Sequence, residues 1–438
     1  MGRVPRRVRR PVAAAVVAAL GLLLALPAAA GAAGTPQPVP PYRGAAGAKP
    51  VEGKSSTAGA PQLDAGSVYK DSIAPGDRYY RLYLDDRSTV YVSAVLQPPR
   101  DAVVGYSDGV EVEVLNIENR YCPGNPGRAG FGYDPVPLSA VGYRQLQEDA
   151  GCQEAGTYYV KVTRNAPKDA KQAAWPLELR VQREPGLGSG SAPTTAPSVW
   201  PSASPTLPGT DAAARTGGTG FNDARALGTG VWSDDLRPGQ TRYYRVPLDW
   251  GQQLGLGAEL SAAKPTKEYG SASSGLTVSL YTPYRALAAS EDTSYDGKQA
   301  GVTLPRTPPV AYENRFSGDR KVEPVRVAGW YYVAVTMAKK VGEFTEDAVP
   351  VPLTLRVQVI GGAGKGPGYA ESPTAAGFGI GAEDRTAAKE GTTALEAADA
   401  AANRSQMRVV AGAGFGAGAL LLLVLGGWIL LARRRGAV

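Results

Sequence analysis

Four short blocks recur in the same order along this chain, and that repeat limits what it can fold into more than any other feature. Asp71-Ser72-Ile73-Ala74-Pro75-Gly76 returns as Asp234-Asp235-Leu236-Arg237-Pro238-Gly239, and each leads into a tyrosine-rich stretch, Tyr79 to Leu84 or Tyr243 to Leu248. Gly109 to Val114 matches Gly275 to Leu280, Gly156 to Val162 matches Gly329 to Val335, and Pro176 to Gln182 matches Pro352 to Gln358. A fixed order of four blocks is the mark of a duplicated unit. Each block alternates apolar and polar residues with period two, as a strand with one buried face requires. Tyr80, Leu82 and Leu84 are expected inside with Arg81 in water, and Tyr244, Val246 and Leu248 repeat the pattern around Arg245. Val110, Val112 and Val114 oppose a solvated Glu111 and Glu113, and Leu177, Leu179 and Val181 oppose Glu178, Arg180 and Gln182. Pro-Gly pairs at 75–76 and 238–239 set tight turns. No convincing amphipathic helix interrupts the strands, so the expected fold class is all-β, two tandem antiparallel sandwiches.

The ends of the chain address it to a membrane. Arg3, Arg6, Arg7, Arg9 and Arg10 precede an apolar run from Ala13 to Leu26, then Pro27 and small residues, the order of a secretory signal peptide cleaved near Ala30 or Ala33. Arg6-Arg7 is not followed by the apolar residues of a twin-arginine signal, which favours the general secretory route. The stretch from Val409 to Ala432 carries no charge and as a helix spans about 36 Å, enough to cross a bilayer. Arg433, Arg434 and Arg435 hold its end in the cytoplasm, giving a single-pass protein of the cell membrane with its N-terminal region outside. Gly412, Gly414, Gly416 and Gly418 supply G-x-x-x-G spacings for close helix–helix approach within the membrane. The Ala-, Gly-, Arg- and Pro-rich composition suits a high-GC bacterium and a bacterial cell envelope. Setting aside the five signal and three tail arginines turns the formal net charge of +7 into −1, which removes nucleic acid as an expected partner. The expected division is signal peptide 1–33, disordered linker 34–63, first sandwich 64–184, Ser/Thr/Pro/Gly-rich linker 185–220, second sandwich 221–360, juxtamembrane stalk 361–408, transmembrane helix 409–432 and cytoplasmic tail 433–438.

The repeated blocks resemble the bacterial pre-peptidase C-terminal domain, through the early aspartate and turn, the Tyr-Tyr strand, Gly156-Thr157-Tyr158-Tyr159-Val160-Lys161-Val162 with its Trp330 variant, and the closing Leu-x-Leu-x-Val. The resemblance covers about 66–184 and 226–360 and implies a jelly-roll-like sandwich. In that family the domain usually trails a secreted peptidase, and none precedes it here. Segments from Tyr121 to Leu146 and from Arg285 to Val325 depart from the compact pattern as long insertions.

Cys122 and Cys152 are the only cysteines, in a chain bound for an oxidising compartment, and a disulfide between them is expected. A metal site built on them would lack further thiols and histidines. The chain contains no histidine, which excludes Ser-His-Asp and Cys-His systems, and its acidic pairs lie on opposite faces of strands or on a solvated face. The expectation is therefore no catalytic residue and no enzyme. Calcium is the one cofactor with candidate ligands, Asp71, Asp85, Asp86, Asp234 and Asp235, although these form no local ligand array. Tyr159, Trp330 and Tyr332 fall on the strand face opposite the core, which makes them the candidate binding face for an extracytoplasmic protein or glycan; the competing reading folds the insertions over them as a second buried layer. These features together point to a non-catalytic, envelope-anchored binding or accessory protein. The alternative is a structural subunit of a membrane complex that docks through its glycine-rich helix.

Overall fold

A strand whose alternate residues are apolar can bury only one face, so each copy of the repeat must build two sheets and close them over each other. The computed structural model describes Gly2 and residues 39–122, 127–132, 134–147, 150–166, 173–188, 195–203, 206–209, 211–346, 349–397, 399–400, 418, 422–426 and 428. The first copy contains β1 (Lys49–Pro50), β2 (Gln62–Leu63), β3 (Val68–Ile73), β4 (Gly76–Leu84), β5 (Thr89–Leu96), β6 (Gly109–Leu115), β7 (Gly127–Gly130), β8 (Leu138–Arg144), β9 (Gly156–Asn165) and β10 (Trp175–Glu184). The second contains β11 (Ala213–Ala214), β12 (Arg225–Ala226), β13 (Gly230–Leu236), β14 (Thr241–Leu248), β15 (Gln253–Leu260), β16 (Ala272–Tyr281), β17 (Leu287–Tyr295), β18 (Ala300–Leu304), β19 (Gly329–Met337) and β20 (Val351–Ile360).

Sheet I has the order β1-β3-β10-β5-β8 and sheet II β2-β4-β9-β6-β7; sheets III and IV repeat these orders with every strand number raised by ten. Pairing is antiparallel except for β1, β2, β11 and β12, two-residue strands that add in parallel to a sheet edge. The register reproduces the blocks seen in the sequence: Asp71 stands opposite Leu177 as Asp234 stands opposite Leu353, and Leu82 opposite Tyr158 as Val246 opposite Tyr331. The expected inward residues form the two cores, with Tyr80, Leu82, Val112, Val160 and Leu179 in one and Tyr244, Val246, Val278, Val333 and Leu355 in the other.

One interaction is duplicated atom for atom. Asp71 Oδ2 accepts from the Tyr80 hydroxyl at 2.7 Å and from the Gly53 amide at 2.8 Å; Asp234 Oδ2 accepts from the Tyr244 hydroxyl at 2.6 Å and the Gly217 amide at 2.8 Å. The chain passes so close to each tyrosine ring that a Cβ at Gly53 or Gly217 would lie 2.7 Å from it, so glycine is required there. This latch ties the segment preceding each sandwich onto its first long strands.

Several expectations are corrected. Residues 39–63 are not a disordered linker, since Lys49–Pro50 and Gln62–Leu63 are strands of the first sandwich. The insertions carry the fold's own strands, β7 and β8 in one and β17 and β18 in the other. Glu111 and Glu113 are buried rather than solvated, paired with Arg128 at 2.9 Å and Lys161 at 3.3 Å, and Arg245 is buried with its guanidinium 4.1 Å from the Trp330 ring. Part of the 185–220 linker lies on sheet III: Gln253 Nε2 donates to the Pro201 carbonyl, Arg356 to the Pro208 carbonyl, and Leu207 reaches over Gly257. The stalk is docked over 361–397. Phe378 is buried, α1 (Ala382–Glu390) ends at a left-handed Gly391, Arg215 donates to the carbonyls of Lys389 and Glu390, and Arg385 pairs with Asp249 at 2.7 Å.

The signal peptide apart from Gly2, Gly412, Gly414, Gly416 and the 433–438 tail lie outside the described residues. Gly418, 422–426 and Trp428 are helical, and no helix among the described residues is long and apolar enough to cross a membrane.

Cys122 and Cys152 form the expected disulfide, which joins the residues just after β6 to those before β9. Closing a loop of 30 residues in sequence stabilises a domain by about 3 kcal/mol. The Cys122→Ser/Cys152→Ser protein should therefore lose about that much in urea unfolding followed by tyrosine fluorescence, and a reductant should have the same effect on the wild type and none on the variant.

Candidate functional site

The outward face of sheet I alternates with its core face, so Glu178, Arg180, Gln182 and Glu184 on β10 and Tyr91, Ser93 and Val95 on β5 must all point away from the first core. Arg180 is half-buried and the others are buried, covered by the second sandwich together with the N-terminal segment and the stretch around Ala376. Arg285 lies in the tight turn between β16 and β17, where the Thr282 hydroxyl accepts from the Ala286 amide at 3.0 Å, and its φ of 68° is uncommon for a side chain of this size. That turn aims its guanidinium at Glu178, 2.6 Å away, with both side chains almost wholly buried. Glu178 also accepts from Asn222, from the Ala45 amide at 2.7 Å and from the Tyr42 hydroxyl at 3.3 Å. Six residues along β10, Glu184 takes Arg315 at 2.6 Å and the hydroxyls of Tyr91 and Tyr369, each at 2.7 Å.

Between the pairs, Tyr91 stacks on Tyr284 with ring centroids 4.1 Å apart, and the fully buried Arg326 lies among Tyr91, Tyr143 and Tyr284 while donating to Gln145 and Glu323. Arg326 Nε and Nη2 have no acceptor among the described residues, and the tyrosine rings supply cation–π attraction in its place. Burial pushes the Glu178 carboxyl up, but the Arg285 charge and the hydrogen bonds from Arg285, Ala45 and Asn222 outweigh it and hold Glu178 below the usual carboxylate range. Burial likewise raises the Tyr91 hydroxyl well above its ordinary value, opposed by Arg326, so it remains a donor to Glu184.

The face that sandwich 2 uses in this contact belongs to sheet IV. Val95 of sheet I packs in one cluster with Tyr243, Tyr332, Ala334 and Phe221, flanked by Tyr42, Tyr281 and Trp330. Tyr332 is therefore buried in the seam. Trp330 is half-buried, with its indole N–H donating to Asp384 of α1 at 2.8 Å. These two members of the candidate binding face serve contacts within the chain, as the second-layer reading anticipates, although the covering comes from the other sandwich and the stalk rather than from insertions alone.

The third member differs. Tyr159 on β9 is the repeat equivalent of Tyr332, Tyr79 of Tyr243, and Leu115 of Tyr281, because each pair holds the same register position in sheet II and sheet IV. Among the described residues no other sandwich packs on these positions of sheet II, where Leu115 is buried. Tyr83 and Tyr121 are 73% and 65% exposed, Arg81 is exposed, and Tyr79 and Tyr159 are half-buried around Lys161, which is held 3.3 Å from Glu113 and 3.9 Å from Asp77.

The candidate calcium ligands are not brought together. Asp71 and Asp234 are committed to the two latches. Asp85 accepts from the amides of Arg87 and Ser88 and from the Ser88 hydroxyl, Asp86 stands 3.7 Å from Arg87, and Asp235 is an exposed strand residue. Among the described residues no group of three or more Asp, Glu, Cys or His is placed to hold a metal.

No protein family and no curated protein matches this chain. Among solved structures, the pre-peptidase C-terminal domain of collagenase from Bacillus anthracis is similar at 15% identity over 28% of this chain and 94% of that domain, with a TM-score of 0.17. The CBM22-1-CBM22-2 tandem domain of Paenibacillus barcinonensis Xyn10C is similar at 13% identity over 68% of this chain and 92% of that one, with a TM-score of 0.18. The human CUB1-EGF-CUB2 domain of MASP-1/3 gives 7%, 66% and 99%, with a TM-score of 0.17. The all-β assignment stands on the strand topology itself.

Removing one partner of a buried ion pair leaves the other charge unpaired, at a cost of about 3–5 kcal/mol. Arg285→Ala should cost that much and raise hydrogen exchange across β10 and the 282–286 turn together, whereas Glu178→Met combined with Arg285→Leu should recover most of the loss. Because the folded-state pKa of Glu178 is depressed, its contribution is complete above its unfolded value of about 4.3 and is lost as pH falls through the lower folded value. Acid titration of stability should show this step in the wild type, and Glu178→Gln should lack it.

Proposed function

We propose that this chain is a non-catalytic, envelope-anchored extracytoplasmic binding or accessory protein, whose two sandwiches form one rigid body that presents sheet II to a protein partner offering a β-sheet face of its own. One observation carries the reading. The sheet position through which the second sandwich holds the first is repeated on the first sandwich, where Tyr79 and Tyr159 are half-buried and flanked by the exposed Tyr83 and Tyr121. Tyrosines supply large contact area at low entropic cost and are enriched at protein interfaces, and the Lys161–Glu113–Asp77 and Arg128–Glu111 pairs would set the register of an incoming sheet. The Cys122–Cys152 disulfide supports an oxidising compartment. The anchoring half of the proposal rests on the apolar run from Val409 to Ala432 and the arginines after it.

A photo-crosslinking residue at position 83 or 121 of the full chain, irradiated in intact cells, should join one protein partner, while the same residue at Leu287 or Val349, exposed apolar positions of the second sandwich, should not. Tyr159→Glu should remove the product without changing the protein's level. Equal labelling at all four positions, or none at 83 and 121, overturns the proposal. Stopping the chain before Val409 should release the protein from the membrane fraction.

A further inference from the structure

Away from sheet II, a half-open cleft of about 420 Å³ lies where four stretches of chain converge: Leu187-Gly188 leaving the first sandwich, Trp250-Gly251 after β14, 309–313, and 364–368 after β20. Its walls are tied by backbone bonds, with the Gly188 amide donating to the Gly368 carbonyl, Gly251 to Val310 and Gly364 to Trp250. The Arg315 guanidinium lies 3.4 Å from the Tyr312 ring centroid and is itself fixed by Glu184, so the ring plane is set by the seam. Tyr369, held by the same carboxylate, has its centroid 6.4 Å from both Trp250 and Tyr312. A Cβ at Gly366 would lie 2.4 Å from Trp250 Nε1, so only glycine lets residues 364–368 pass this close to the indole.

The polar groups of this cleft are what single it out. The other two tryptophans of this sandwich use their indole N–H groups internally, Trp232 to the Gly228 carbonyl and Trp330 to Asp384. Trp250 Nε1, the Tyr312 hydroxyl, the Glu313 carboxylate and the Lys365 ammonium make no hydrogen bond or ion pair with any described residue, and all four residues line the cleft. A preformed concavity in the ~300–1,000 Å³ range with convergent unpaired polar groups is the form of a small-ligand site.

The donor and acceptor pattern selects the ligand. An apolar compound would leave four polar groups desolvated. A proline-rich peptide suits aromatic walls but brings backbone acceptors, leaving the Glu313 carboxylate without a donor. A sugar supplies both: its apolar C–H face stacks on an aromatic ring, and its hydroxyls accept from Trp250, Tyr312 and Lys365 while donating to Glu313. We infer that this cleft binds a short neutral oligosaccharide, with Trp250 as the stacking platform and Tyr312, Glu313 and Lys365 as the hydroxyl partners.

The test is an array of neutral oligosaccharides probed with the full-length protein in detergent, followed by calorimetric titration of the strongest binder and of a decaproline peptide. The expected result is saturable sugar binding that weakens about tenfold or more in Trp250→Ala, the scale of one lost stacking contact together with its hydrogen bond. Because Trp250 also packs against the second core, Glu313→Gln and Lys365→Ala at the rim serve as variants that preserve folding and should each weaken binding severalfold. Tyr159→Glu on sheet II should leave it unchanged, which separates this site from the protein-docking face. Binding to no sugar on the array, sugar binding indifferent to all three cleft variants, or saturable binding of decaproline instead overturns the inference.

Discussion

Glu178 and Glu184, two carboxylates on the outward face of one strand, govern how everything else in this molecule is arranged. An unpaired carboxylate cannot be withdrawn from water without a cost of several kcal/mol, so sheet I could be covered only by something that brought cations to both positions at once. The second sandwich does so with Arg285 and Arg315, delivered from a hairpin turn and from the 312–316 segment. With those distances fixed, Tyr91 can stack on Tyr284, Arg326 can enter its tyrosine box, and the N-terminal segment can insert Tyr42 and the Ala45 amide against Glu178. The stalk then closes over the outside through Phe378 and α1.

The parts of this structure that were legible in the sequence are those governed by period two. Tyr80-Leu82-Leu84, Val110-Val112-Val114 and Leu177-Leu179-Val181 announce their strands because alternate burial leaves no other pattern, and the repeat assigns the second copy at once. The same rule misplaced Glu178, Arg180 and Arg245. Alternation states which side of a sheet a residue occupies and says nothing of what lies beyond that side. The two-residue edge strands carry no periodicity, and their Gly- and Pro-rich surroundings read as linker because the latch at Asp71 and Asp234 involves a backbone amide rather than a side chain.

For the binding surfaces the outcome is mixed in an instructive way. Tyr159, Trp330 and Tyr332 were found by one argument, yet the structure spends Trp330 and Tyr332 within the chain and leaves Tyr159 with exposed neighbours. A signal was available in the difference between the copies: β10 has Glu178 and Glu184 where β20 has Thr354 and Ile360, so only one of the two equivalent faces is equipped to hold arginines. Trp250 and Tyr312 had no such signal. They converge because the 309–313 segment bonds to the turn after β14 and residues 364–368 double back across it.

The linker segment across sheet III acquires significance from the way the two sandwiches meet. A sheet I face joined to a sheet IV face is a head-to-tail contact, and contacts of that kind repeat without limit unless something closes them. Sheet III is the repeat equivalent of sheet I, but β20 carries Thr354 and Ile360 where β10 carries Glu178 and Glu184, so it lacks the carboxylates that would take a further copy. Pro201, Leu207 and Pro208 occupy that surface, with Gly257 leaving room for the leucine where the first copy has Ser93. A segment that reads as a mere tether thus lies on sheet III where a second sandwich would otherwise have to sit.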